Sequence, residues 1–158
     1  MILVFGATGM VGQAVVREAR CRGMRVEGAA RAGADHTVDL AEPDCVTALL
    51  ERLRPNLVIN AAAMSGIEGC ERAPTLAARV NARAVAPMSR YCRAGSLPFV
   101  QVSTDHFYSG DGTRKHGEEE PVLLLNQYAR TKYAAEIFAC EAPGALVLRT
   151  NVTGLRGR

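Results

Sequence analysis

Three regularly spaced glycines directly follow a short apolar run at the start of the chain, and few folds accommodate this arrangement. Residues 2–5 have the continuous apolar character of a buried strand. Gly6, Gly9 and Gly12 follow in a GxxGxxG spacing, and apolar residues then recur at helical spacing as far as Gly23. A strand, a glycine turn and a helix in immediate succession are typical of the first unit of an α/β fold.

The rest of the chain alternates apolar runs with amphipathic stretches. We predict strands at residues 2–5, 25–30, 37–40, 57–63, 99–103 and 145–149, and helices at about 11–23, 43–55, 75–93 and 126–140. Pro87 predicts a kink in the third helix or an earlier boundary. Right-handed crossovers then favour a doubly wound α/β fold, with a mostly parallel six-stranded sheet and helices on both faces. The connection at 104–125 is unusually long, which favours a functional or disordered segment.

Length and charge exclude several classes of protein. The 158 residues, 48% of them apolar, suffice for one domain, and no apolar run is long enough for a membrane span. The 19 basic and 16 acidic residues lack the basic cluster of a nucleic-acid binder. The five cysteines form no CxxC pair and no metal-ligand cluster, so we expect structural thiols in a reducing cytoplasm. We therefore expect a cytoplasmic protein with no metal, membrane or nucleic-acid partner.

The glycine turn has the composition of a dinucleotide-binding loop. Gly6 permits a tight turn, Gly9 lets a pyrophosphate approach the backbone, and Gly12 allows the helix to pack closely on the strand. The free N–H groups and the positive dipole end of the helix N-terminus attract phosphate. We therefore predict a nicotinamide-dinucleotide site formed by Gly6, Thr8, Gly9, Met10, Val11 and Gly12.

The end of the second strand distinguishes the two nicotinamide cofactors. An acidic residue there binds the 2′-hydroxyl of NAD, whereas an arginine suits the 2′-phosphate of NADP. This strand ends in Arg31 with no carboxylate, which favours NADP over NAD, although a solvated surface arginine gives the same pattern. Asp39 and Leu40, after the third strand, are placed to contact the adenine, but an aspartate at this point is also typical of a simple turn.

Tyr128 and Lys132 lie four residues apart, and therefore on one face of the last predicted helix. A cation beside a tyrosine stabilises the phenolate, so we expect Lys132 to lower the pKa of Tyr128 and make the phenol a usable acid or base. Thr104 follows the fifth strand, at the sheet edge where ligands bind, and can hydrogen-bond a carbonyl held by Tyr128. The alternative is a tyrosine packed on the sheet and a lysine in solvent.

Six segments carry a resemblance to a known family, and they are spread over nearly the whole chain: residues 6–12, 38–40, 54–63, 102–105, 126–132 and 148–150. In these segments the chain resembles the cofactor-binding part of an extended short-chain dehydrogenase/reductase, in particular of the dTDP-4-dehydrorhamnose reductase group. The resemblance implies a Rossmann fold. It also implies NAD(P)H-dependent reduction of a 4-keto nucleotide sugar as the activity.

The resemblance further implies roles for individual residues. Tyr128 would donate a proton to the C4 keto oxygen, Lys132 would hold the nicotinamide ribose, and Thr104 would complete the catalytic triad. Asp105 would lie beside the sugar. The dinucleotide would be flanked by three small side chains, those of Ala61, Ala62 and Ala63. The cofactor supplies the hydride.

The chain also departs from the group. Relatives continue into a C-terminal region that forms most of the sugar-nucleotide pocket, whereas this chain ends at Arg158. We therefore expect residues 1–158 to form the NAD(P)-binding domain without that region, with an open cleft and exposed apolar surface. A second copy or a partner chain would cover the cleft. His106 stands where the group has a tyrosine, which weakens the inference about the substrate.

Two other functions stay open on the sequence. A non-catalytic dinucleotide-binding or regulatory module would need no C-terminal region, but it would not need Tyr128 and Lys132 together. An epimerase or dehydratase of nucleotide sugars would share the triad. A dehydratase generally has acidic residues next to the threonine, and here Asp105 is followed by His106. This favours a reductase.

Overall fold

The sheet of the protein consists of six parallel strands, in a computed structural model that describes residues 1–108 and 115–151. The strands are β1 (Ile2–Phe5), β2 (Val26–Ala30), β3 (His36–Thr37), β4 (Leu57–Asn60), β5 (Phe99–Val102) and β6 (Ala145–Leu148). Their order is β3-β2-β1-β4-β5-β6, so the direction of winding reverses between β1 and β4. This confirms the predicted doubly wound sheet, in which ligands bind at the carboxyl ends of the strands near the reversal.

Helices lie on both faces of the sheet, as predicted. The helical segments are α1 (Met10–Cys21), α2 (Pro43–Leu53), α3 (Ile67–Arg72), α4 (Pro74–Ala77), a π-helix (Ala78–Arg83), α5 (Val85–Ala94) and α6 (Gln127–Ala139). α1 covers one face, where Val16 packs with Val4 and Val26. α2, α5 and α6 cover the other face in a larger core that contains Phe5 and Phe99. Alternate strand residues therefore supply two separate cores.

The face that carries α1 is only partly covered. Ile59 of β4 packs on the α1 side of the sheet. Val100 of β5 is paired with Ile59, and Leu146 of β6 is paired with Val100, so all three side chains lie on this face. Leu146 and Leu148 are 53% and 42% exposed. Within the described ranges, no helix therefore covers this face over β6. This face therefore leaves two apolar side chains of β6 exposed.

Two strands, β3 and β4, end three residues earlier than predicted because polar side chains turn the backbone out of the sheet. β3 ends at Thr37 and not at Leu40, and the Asp39 carboxylate accepts a hydrogen bond from the Ala41 N–H at 2.9 Å. β4 ends at Asn60, whose side-chain oxygen accepts from the Ala62 N–H at 3.1 Å. Side-chain bonds of this kind replace ladder bonds and form turns.

The predicted third helix is built from three segments. α4, the π-helix and α5 follow one another from Pro74 to Ala94. Pro87 lies in the first turn of α5 and has no N–H to donate, and just before it the Ala84 N–H donates to the Arg79 carbonyl in the wider π pattern. The break in regular α-helix that Pro87 predicted therefore lies just before the proline in the sequence. α3 was not predicted, because six residues that include a glycine give no helical period.

The connection from β5 to α6 contains neither helix nor strand in its described parts, and residues 109–114 lie outside them. Phe107 is fully buried, and its carbonyl accepts a hydrogen bond from the Leu123 N–H at 2.7 Å. The side chain of Asn126 caps α6 by accepting from the Ala129 N–H at 2.8 Å, as predicted. The first turn of α6 is thus fixed close to the end of β5.

All five cysteines are free thiols, with Cys70 and Cys92 buried. The described side chains hold no group of three or more His, Cys, Asp or Glu residues suited to a metal ion. A search of the same residues finds no helix with the length and apolar character that a membrane crossing requires.

Replacing Gly12 by alanine should strongly destabilise the fold, because a Cβ there would lie 2.1 Å from the Gly6 carbonyl oxygen. Overpacking costs about 1–3 kcal/mol, and we expect at least the upper end of this range in urea unfolding. Gly66→Ala is the matched control, since a Cβ there meets nothing closer than 4.0 Å. Equal stability of the two variants would contradict the described packing.

Candidate active site

The glycine turn joins β1 to α1 through close backbone contacts. Gly6 has a φ of +78°, and a Cβ on it would lie 2.6 Å from the Ala62 backbone. The N–H of Gly9 donates to the Gly6 carbonyl at 2.9 Å, and the Gln13 side chain donates to the Thr8 carbonyl at 2.8 Å. Gly6 and Gly12 thus make the tight turn and the close helix packing predicted for them. Gly9 precedes α1, where the N–H groups of the first turn are free of helical partners.

One cleft lies beside this turn, at the carboxyl ends of β1, β2 and β4. Its volume is about 490 Å³. We call it the glycine-turn cleft, and its predicted lining residues are Gly6, Thr8, Gly9, Arg31, Asp39, Leu40, Ala61, Ala62 and Ala63. The structure therefore brings together the two glycines, the end of β2 and the alanines after β4. Asp39 lines the cleft. Its carboxylate also forms a turn, which is the other structure that the sequence predicted for this aspartate.

A second cleft of about 370 Å³ adjoins the first, because Gly9, Ala61 and Ala63 line both. We call it the Tyr128 cleft. Its other predicted lining residues are Met10, Val11, Thr104, Asp105, Tyr128 and Lys132. Of the predicted cofactor-binding residues, Gly12 alone lines neither cleft, because it lies in the contact between α1 and the turn.

Lys132 lies inside the protein and not in solvent, so the alternative prediction of an exposed lysine is wrong. Its side chain is 3% exposed, and Nζ donates a hydrogen bond to the Val102 carbonyl at 2.6 Å. Burial lowers the pKa of Lys132 to about 8, while the neighbouring Glu136 carboxylate opposes this effect. The lysine is therefore held at the end of β5, next to Thr104.

The predicted effect of Lys132 on Tyr128 is wrong in direction. The pKa of Tyr128 is raised, chiefly by burial of the phenol, and also by electrostatic interactions with Cys70 and Asp105 that disfavour the phenolate. A hydrogen bond with Thr104 acts the other way. The Lys132 ammonium is bound to the Val102 carbonyl, so it does not offset the cost of a buried phenolate. Tyr128 is consequently a neutral phenol at physiological pH, the form that donates a proton.

His106 lines the Tyr128 cleft. Its ring meets the Tyr128 ring edge-on, with centroids 5.9 Å apart. Its backbone N–H donates to the Thr104 hydroxyl at 3.2 Å, so the turn after β5 also orients Thr104. His106 therefore contacts two residues of the candidate site, Tyr128 and Thr104.

Asn81 supports the site, although sequence reasoning did not identify it. The π-helix places this residue, which is 1% exposed, between two parts of the site. Its side chain accepts from the Met64 N–H at 2.6 Å, and donates to the Met64 carbonyl at 3.2 Å and to the Thr131 hydroxyl at 3.0 Å. It ties the loop after β4 to the helix that carries Tyr128 and Lys132. The only sequence signal was an asparagine among apolar residues on a buried helix face.

The strand order, the glycine turn at the first junction and the Thr104–Tyr128–Lys132 cleft define a Rossmann-like domain of the short-chain dehydrogenase/reductase type. Within that class, the chain belongs to the RmlD substrate binding domain family, whose model matches residues 1–153.

Curated and solved relatives agree with this family. A probable low-salt glycan biosynthesis reductase, Agl14, from Haloferax volcanii is 34% identical over 98% of this chain and 54% of its own length. A dTDP-4-dehydrorhamnose reductase from Burkholderia thailandensis is 33% identical over 99% of this chain and 52% of its own. The crystal structure of such a reductase from Clostridium acetobutylicum superposes with a TM-score of 0.88 at 25% identity, over 99% of this chain and 55% of that one. The chain therefore spans about half the length of these relatives.

The buried Lys132 ammonium should make stability depend on pH in one direction. Its folded pKa of about 8 lies below the ordinary 10.5, so the unfolded chain binds more protons between these values. The cost of burying the charged ammonium is present in full below pH 8 and disappears as the pH rises toward 10.5. The free energy of unfolding should therefore increase by about 3 kcal/mol at most over this interval. The unfolding free energy of the wild type minus that of Lys132→Met should therefore rise over this interval in urea titrations.

Subtracting the unfolding free energy of Lys132→Met from that of the wild type removes the contributions of other titrating groups. One of these is Cys92, whose pKa burial raises to about 11. Lys115→Met, at an exposed lysine, is the matched control and should show a flat difference. A pH-independent difference for Lys132→Met would contradict a charged lysine at this buried position.

Proposed function

We propose that the chain is the cofactor-binding half of a reductase that uses NADPH to reduce the keto group of a 4-keto nucleotide sugar. The proposal rests on one arrangement: Thr104, Tyr128 and Lys132 meet in a cleft that adjoins the glycine-turn cleft. The names of the Burkholderia and Haloferax relatives, a dTDP-4-dehydrorhamnose reductase and a glycan biosynthesis reductase, support this class of reaction.

The residues of the glycine-turn cleft suit a dinucleotide. Gly9 has no side chain where the two clefts meet, and the small side chains of Ala61 and Ala63 also line both clefts. The free N–H groups at the start of α1 would bind the pyrophosphate. Arg31 lines the outer end of the cleft, where its guanidinium would bind a 2′-phosphate, while Asp39 and Leu40 would contact the adenine.

The residues of the Tyr128 cleft suit proton transfer to a carbonyl oxygen. NADPH, when bound, supplies the hydride that reduces the keto carbon. The Tyr128 phenol donates its proton to the oxygen that gains negative charge, and Thr104 donates a second hydrogen bond to the same oxygen. Lys132 would hold the nicotinamide ribose and contribute a buried positive charge there. Asp105 and His106 line the cleft on the sugar side.

A non-catalytic dinucleotide-binding module is the second candidate, and one observation favours it. Leu146 and Leu148 are exposed on a sheet face that no helix of the described residues covers, and a second copy of the chain or a partner chain would pack there. With five free thiols, we propose a cytoplasmic location.

Tyr128→Phe should lower NADPH oxidation by a 4-keto nucleotide sugar such as dTDP-4-dehydrorhamnose by about 100-fold or more, because the variant lacks the proton donor. NADPH binding should stay within about twofold of the wild type. Tyr133→Phe, one turn along the same helix, is the matched control and should retain full rate. Equal rates of NADPH oxidation in the wild type and Tyr128→Phe would contradict the reductase, and binding of NADPH without turnover in the wild type would favour the non-catalytic module.

Arg31→Ala should weaken NADPH binding by about tenfold and leave NADH binding unchanged, since one charged hydrogen bond to the 2′-phosphate is lost. Isothermal titration with both nucleotides measures the difference. Arg90→Ala removes an equal charge from an exposed position on α5 and controls for net charge. An equal loss for both nucleotides would contradict the assignment of Arg31 to the 2′-phosphate.

A further inference from the structure

Glu136 carries a buried carboxylate that has no role in the reaction proposed above. It lies one turn beyond Lys132 on α6 and is 6% exposed. The Ser103 hydroxyl donates to it at 2.5 Å, and the Arg149 guanidinium donates to both of its oxygens at 2.7–3.2 Å. A carboxylate so far from water stays ionised only when it is paired and hydrogen-bonded in this way.

The partners of Glu136 place it directly behind the candidate site. Ser103 is the residue before Thr104, and its N–H donates to the Leu148 carbonyl of β6 at 2.7 Å. Lys132 binds the carbonyl of Val102, the residue before Ser103, at 2.6 Å. Two side chains of α6, one turn apart, therefore hold two consecutive residues at the end of β5. This contact sets the distance between the helix that carries Tyr128 and the strand end that carries Thr104.

Arg149 extends the same cluster to the segment that follows the site. Its guanidinium donates to the Tyr108 hydroxyl at 2.6 Å and to the Glu118 carbonyl at 3.2 Å. It also lies over the Phe107 ring, 5.3 Å from the centroid. One buried ion pair thus joins α6, the ends of β5 and β6, and the segment after His106.

We propose that Glu136, oriented by Arg149, is a positioning residue of the site: it fixes Ser103 beside Thr104 and supplies the negative charge that keeps Lys132 an ammonium at neutral pH. This inference rests on the proposed function, in which Lys132 acts as a cation. The arrangement of charges belongs to the chain itself, and it is measurable without cofactor or substrate.

Several titratable groups lie on the helix of Lys132 and on the elements packed against that helix. They are Tyr128 and Glu136 on α6, Asp105 and His106 after β5, Cys70 on α3, and Arg149 after β6. Tyr128 is a neutral phenol and Cys70 a neutral thiol, because burial raises the pKa of each. Glu136 is the buried carboxylate among them, and it is the charge that favours the protonated lysine.

The chain contains only two lysines, Lys115 and Lys132, so selective ¹³C-lysine labelling gives an NMR spectrum with two side-chain signals. Lys115→Arg assigns them. In the wild type, the Lys132 signal should titrate with a midpoint near pH 8. Glu136→Gln should move the midpoint to lower pH, whereas Glu136→Asp, which keeps the charge, should hold it near the wild-type value. Glu141→Gln removes an exposed charge just beyond α6 and should leave it unchanged.

An unchanged Lys132 midpoint in folded Glu136→Gln would overturn the proposal, because a merely structural carboxylate would alter stability and not the lysine. Should Glu136→Gln fail to fold, the double variant Glu136→Gln/Arg149→Gln decides the matter, because it removes both charges of the ion pair and leaves neither of them buried and unpaired. The Lys132 midpoint should again fall below the wild-type value, and an unchanged or higher midpoint would overturn the proposal. Since neither measurement uses NADPH, failure of the reductase assignment would leave these outcomes unaffected.

Discussion

The contact between Gly12 and the Gly6 carbonyl is the constraint on which the site depends. A methyl group at Gly12 would lie 2.1 Å from that oxygen, so α1 begins as close to the end of β1 as two backbones permit. This proximity brings the free N–H groups of α1 to the point where the strand order reverses. Gly6 adds a second close contact with the backbone after β4. Both clefts open from this junction, and Gly9 lines each of them.

A second set of contacts fixes the other half of the site through buried polar groups. Lys132 binds the backbone at the end of β5, and Asn81 joins the neighbouring Thr131 to the loop after β4. In a low-dielectric interior, such groups are costly unless all of their partners are present. The arrangement is therefore specific, because a shift of α6 would leave several buried donors and acceptors unpaired. The site combines a rigid backbone turn on one side with a satisfied polar network on the other.

Features that depend on local sequence were predictable. The strand at residues 2–5, the glycine turn and the cap at Asn126 each depend on neighbouring residues, and all are confirmed. Features that depend on tertiary contacts were not. The partner of Lys132 is a carbonyl thirty residues away, so the spacing of Tyr128 and Lys132 alone indicated the wrong direction for the Tyr128 pKa. Likewise, the π-helix that places Asn81 has no periodic signal.

The central claim is that a nicotinamide dinucleotide lies across the glycine turn. A titration of the 158-residue chain with NADPH, followed by nicotinamide fluorescence, tests it directly when the wild type is compared with Gly9→Val. A Cβ at Gly9 meets only the Gly6 carbonyl, at 3.3 Å, and Gly117→Val adds the same side chain at an open position outside the clefts. We expect saturable binding by the wild type and Gly117→Val, and a loss of affinity of at least about tenfold in Gly9→Val. Equal binding by all three proteins, or binding by none, would contradict the central claim.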